Sequence, residues 1–121
     1  MVSKSDIADK VANRRGGIPS ACTSAVIQEW VDDAHIKIEN RTGESFSTSD
    51  IPEKFQALIT DMAVSYLLEY LIKRRASVSE ANFSYSDLIA EKKMLDSDIK
   101  QQMNDIISIS GSVTTTEPRG V

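Results

Sequence analysis

The sequence predicts an all-α fold: a small helical bundle with a short N-terminal helix, three longer helices and an extended C-terminal tail. Three observations predict it. Apolar residues recur at helical spacing in successive segments. The stretch "IPEKFQALITDMAVSYLLEYLIKRR", Ile51 to Arg75, runs without glycine or asparagine and without proline after Pro52. Glycine (5) and proline (3) are scarce, which favours helices joined by short turns. With 121 residues, 40% hydrophobic and 26% charged, the chain suits one globular domain. The helical domain is expected over 1–110, followed by a flexible or docking arm over 111–121.

Ser3 and Asp6 place a hydroxyl three residues before an acid, a helix-start pattern. Ile7 and Val11 then share a face, and the first helix should stop by Gly16 and Gly17. A second helix starts between Ser20 and Ser24 and stops at Gly43. Val26, Ile27, Trp30, Val31, Ala34 and Ile38 fall within its broad apolar stripe. Ile36 is the misfit: it points into the acidic face near Glu29 and Asp33, either as an isolated exposed isoleucine or as a contact with another subunit.

Glu44–Ser49 forms a polar loop. Asp50 is expected as the N-cap of the third helix, with Pro52 in the first turn and Glu53 three residues after the cap. Phe55, Ile59, Met62, Tyr66 and Tyr70 line one face of this helix, and Val64, Leu67, Leu68 and Leu71 lie mainly on the opposite side. A narrow polar strip of Asp61, Ser65 and Glu69 runs between them. A helix with two apolar faces must be covered from both sides, so this is the expected central helix. After a polar connection over Ala76–Phe83, Ser84 and Asp87 offer another cap. The last helix carries Leu88, Leu95, Ile99, Met103 and Ile106 in a narrow stripe to about Ile109, the geometry of a single packing seam. Beyond Gly111 the helical period is lost. Val113 to Thr116 is β-prone and is either a frayed terminus or an arm that pairs with another chain.

The net charge is -4 and the pI about 4.9, without the basic face of a sequence-specific DNA reader. The basic clusters, Arg14–Arg15 and Lys73–Arg75, sit at expected helix ends, where they complement the helix dipole. One cysteine, Cys22, excludes an internal disulfide and reads as a small buried residue; with the lone His35 it cannot make a four-ligand zinc site. The first ten residues, MVSKSDIADK, lack the apolar core of a signal peptide. Met62–Ile72 is about half the ~20 residues a membrane span needs and contains Glu69. A soluble protein of a reducing compartment is expected, without membrane association.

Reactive groups do not converge in the sequence. Asp32 and Asp33 point about 100° apart on their helix. Asp61, Ser65 and Glu69 read as an intramolecular strip at a helix–helix contact, and His35 falls on the polar side of the second helix, where solvent exposure is expected. No phosphate-binding loop, dinucleotide fingerprint or HExxH pattern occurs. The expectation is a protein that is not an enzyme, with no catalytic residue, metal site or cofactor.

The order of features resembles the head–tail connector proteins, or adaptors, of long-tailed bacteriophages and related viruses. A short N-terminal segment precedes "AVIQEWVDDAHIKIENRTG", a polar loop, "IPEKFQALITDMAVSYLLEYL", a second polar link and a long last helix before a loose tail. In that family an isoleucine–proline pair commonly opens a central helix that becomes rich in tyrosine and leucine. The pattern covers roughly residues 5–110 and rests on architecture and one helix start. The resemblance implies a structural virion protein, made in the host cytoplasm and located at the capsid–tail junction. It implies a homo-oligomeric ring, commonly a dodecamer, that binds the portal protein, extends the DNA channel and offers a platform to a tail or stopper protein. DNA would pass without specific binding, as suits a mildly acidic chain. By the same resemblance Ser112, Val113, Thr114, Thr115 and Thr116 would form a docking arm for the portal or a neighbouring subunit. Ile36 and the loop residues Glu44, Ser45 and Phe46 would lie at subunit interfaces.

The alternative is a small dimeric helical regulator or protein-binding adaptor. It would associate through the Leu88–Ile106 seam, with Leu95 and Ile99 at the interface, and their replacement by glutamate would split the dimer while leaving the monomer folded.

Overall fold

The computed structural model describes residues 1–15, 21–77 and 85–114. They form four helices: α1 (Lys4–Arg15), α2 (Ser24–Thr42), α3 (Glu53–Ser77) and α4 (Tyr85–Thr114). Among the described residues there is no strand, only an isolated bridge between Ser47 and Asp50. The all-α bundle expected from the sequence is the fold.

Local chemistry explains the helix ends. At α1, the Ser3 backbone N–H donates to Asp6 Oδ2 (2.9 Å) and the Asp6 N–H donates back to Ser3 Oγ (3.4 Å), a reciprocal cap. At α2, Thr23 Oγ1 accepts from the Val26 N–H at 3.3 Å. Gly43 closes α2 in the left-handed region (φ 77°), its N–H donating to the Glu39 carbonyl at 2.9 Å.

The start of α3 differs from expectation. Asp50 does not cap it. The Asp50 N–H instead donates to the Ser47 carbonyl (3.2 Å) in a turn, and the Ile51 N–H donates to the Val2 carbonyl (2.7 Å). A further backbone bond joins the Lys4 N–H to the Thr48 carbonyl at 2.8 Å. The N-terminal segment thereby ties the 47–50 turn and Ile51 in place, and the helix begins only at Glu53, after Pro52. Ile51, now 1% exposed, belongs to the core.

The interior is organised around α3. At 25 residues it is about 37 Å long. It packs against all three other helices, most extensively against α4; among the described residues α1 and α4 do not pack on each other. Every residue from Leu58 to Ser65 is buried, followed by Leu67, Leu68 and Leu71. Ile7 and Val11 of α1 and Ile27, Val31, Ala34 and Ile38 of α2 complete the core with Leu88 and Met103 of α4. Val26 and Trp30 lie at the edges of the α2 stripe, half-buried, with the Trp30 ring 6.4 Å from that of Tyr70. Cys22 is buried, as its neighbours in sequence suggested.

The stretch Glu53–Lys73 has the length and apolar content of a membrane span, longer than the segment delimited from sequence, yet 61% of it is buried inside the bundle. That coverage is what the core helix of a folded domain requires.

The α4 helix also runs further than expected. It continues through Gly111 to Thr114 instead of stopping near Ile109. A single internal glycine costs only about 1 kcal/mol relative to alanine, too little to end a long helix by itself.

Candidate functional site

Two polar clusters and two surface flanks position the side chains that could serve function. The first cluster closes the loop between α2 and α3. His35 Nε2 lies 2.6 Å from the Phe46 carbonyl and 3.0 Å from Glu39 Oε2. Both neighbours are acceptors, so this nitrogen carries the hydrogen. Glu39 Oε2 also accepts from the Phe46 N–H at 3.0 Å. The Phe46 ring meets the His35 ring edge-on (4.5 Å) and stacks on Phe55 (4.8 Å). Glu44 pairs with Lys54 at 2.7 Å. His35 is therefore not the solvent-exposed histidine expected from its helical position. It clasps a loop that periodicity within α2 cannot see.

The second cluster is the strip along α3. Asp61, 9% exposed, accepts from Arg14 of α1 (2.6 Å) and from Gln102 of α4 (2.7 Å). Ser65 donates to Asp96 of α4 at 2.5 Å, and Lys92 donates to the other Asp96 oxygen at 2.7 Å. Glu69 is exposed and pairs with Lys73 at 3.2 Å. The strip is intramolecular, as its spacing suggested. Each buried acceptor is satisfied, and the geometry ties α1, α3 and α4 into one register. These groups are engaged with one another and do not converge on an open site.

The residues singled out as interface candidates separate into three kinds. Ile36 is 55% exposed and remains available; Ser45 is exposed and Glu44 half-buried in its ion pair. Phe46, Leu95 and Ile99 pack against the chain's own core. The seam of α4 is covered by α3, so Leu95 and Ile99 offer a neighbour only their outer edges. This corrects the expectation that glutamate at both positions would leave the monomer folded, because those charges would face the interior. Ser112, Val113 and Thr114 fall on the helical extension of α4, not in an extended arm, and Thr115 and Thr116 lie outside the described residues.

The sequence-based search missed the two flanks of α4. On one, Met94 is 72% exposed, beside Glu91 and Asp98. On the other, a groove between α2 and α4 is floored by Met62 of α3 with Ile99 and Met103, and is rimmed by Lys37, Arg41 and Lys100. Lys37 sits over the Tyr66 ring at 5.1 Å. The Tyr66 hydroxyl has no hydrogen-bond partner among the described residues although it is buried. The signal for the first flank was present: Glu91, Met94 and Asp98 recur at i, i+3 and i+7, off the apolar stripe.

Among the described residues no three His, Cys, Asp or Glu side chains are placed to hold a metal ion. No family model matches the chain, and no curated protein and no solved structure is significantly similar to it.

Proposed function

We propose that this chain is a structural subunit of a head–tail connector, assembling as a ring between the capsid portal and the tail, extending the DNA channel and offering a platform to the next protein. The observation that carries the proposal is the sheathed central helix. The Ile51–Pro52 entry leads into a tyrosine- and leucine-rich α3 that the other helices cover from both sides. That is the architecture implied by the resemblance. A rigid block of this kind suits stacking between other proteins, because its interior is self-sufficient and its outer helices remain free to meet neighbours. The acidic net charge of -4 favours passage of DNA over retention.

The dimeric-regulator alternative has less support, since its seam is occupied by α3 within the monomer. The deciding experiment is localisation. Particles made from a genome encoding this chain with an epitope tag are purified and labelled for electron microscopy. Label at the capsid–tail junction is expected; particles that complete and carry no label would refute the role.

A further inference from the structure

The two flanks of α4 differ in chemistry. Glu91, Met94 and Asp98 share one side of the helix, with Asp87 and Asp105 in line with them at 100° per residue. All five are exposed. Arg14, which also lines this side, is engaged by Asp61 at 2.6 Å, and Asp105 accepts from Gln101 at 2.9 Å. Lys100 lies roughly 150° around α4 from the mean direction of those five and Asn104 roughly 110°, and both line the groove completed by Lys37 and Arg41 of α2. Arg41 and Lys100 have no acidic partner among the described residues, and Lys37 meets only the Tyr66 ring. The one acid lining this part of the groove, Asp96, is already held by Lys92 and Ser65.

We infer that the basic, methionine-floored groove between α2 and α4 receives the acidic Met94 flank of a second copy of this chain. The occupant follows from complementarity within one helix. Glu91 and Asp98 flank an exposed thioether on one side, with Asp87 and Asp105 further along the same line, and three cations rim an apolar floor of Met62, Ile99 and Met103 on the other. Methionine adapts to irregular apolar surfaces, so Met94 can seat on that floor while the carboxylates meet the rim. Because the two patches differ and lie on opposite sides of α4, the contact is heterologous. Each copy offers one patch to each neighbour, and association propagates in one direction. This deepens the connector proposal by naming the surfaces that join ring subunits, and it rests on that proposal only for the meaning of the contact.

Cross-linking of the purified full chain at up to millimolar concentration tests it. Cysteine at the exposed positions 94 and 104 (M94C/N104C), joined by a short bis-maleimide, should give a ladder of multimers. A mixture of the two single variants should give 94-to-104 dimers. Reversing one patch (E91K/D98K) or the other (R41E/K100E) should lower cross-linking roughly tenfold through like-charge repulsion. Mixing the two reversed proteins should restore it, and circular dichroism confirms that each is folded. No 94-to-104 product, efficient 94-to-94 dimers, or reversed variants that cross-link undiminished would each overturn the inference. A failed localisation in particles, with the cross-links intact, would overturn the connector role and leave this contact standing.

Discussion

The two longest helices, α3 and α4, solve opposite problems. α3 is buried continuously from Leu58 to Ser65 and again at Leu67, Leu68 and Leu71, and among those residues carries charge only at Asp61, where two helices supply partners. α4 is longer, 30 residues against 25, yet buries one seam and leaves its flanks to water. The difference teaches where stability and where interaction reside. An apolar helix wrapped by its own domain contributes to folding and has little surface left for a partner. A helix with one seam contributes less and presents two chemically distinct sides.

The largest test of this contrast is truncation of the core. Leu67→Ala on α3, fully buried, should cost about 2–5 kcal/mol in urea unfolding. A cost below about 1 kcal/mol would show that α3 is not sheathed as described. Asp61→Ala leaves Gln102 without its acceptor and Arg14 without its counter-charge; a loss of roughly 1–3 kcal/mol is expected, discounted because the Arg14 side chain is 49% exposed. Leu95→Ala, half-buried on the α4 seam, should fall clearly below the Leu67 variant, at about 1–2 kcal/mol. A loss equal to that of Leu67→Ala would erase the distinction between the helices. Met94→Ala should change monomer stability by less than about 0.5 kcal/mol, because the side chain is 72% exposed.

The smallest effect lies at the exposed end of α1. Hydrogen bonds from the Ser3 backbone N–H, then from its hydroxyl, hold the Asp6 carboxyl below its ordinary value of 3.8. A carboxyl whose folded pKa is depressed contributes stability that is present above the unfolded pKa and lost as pH falls through the folded one. The stability difference between wild type and Asp6→Asn should therefore be constant above about pH 5 and shrink below it. A difference that grows on acidification would contradict the cap.

Much of this contrast was legible in the residues. The 3.6-residue period marked both helices, two apolar faces identified α3 as the centre, and the Asp61–Ser65 spacing suggested an internal strip. The missed features all depend on contacts distant in sequence. Asp50 looked like a cap because the local pattern contains Pro52 and Glu53, but a backbone bond from Ile51 to Val2 holds that segment out of the helix. His35 looked solvent-facing because its own helix turns it from the stripe, but Phe46, eleven residues on, folds back over it. Leu95 and Ile99 looked available because a narrow stripe is the same whether its partner is another helix of the chain or another chain.

By itself, then, the sequence determined the helical class, the order of the elements and the identity of the central helix, because apolar periodicity and capping act over a few residues. Only the tertiary structure decided which faces were consumed and which remained. Burial depends on what the rest of the chain places opposite a side chain, and no local pattern carries that information.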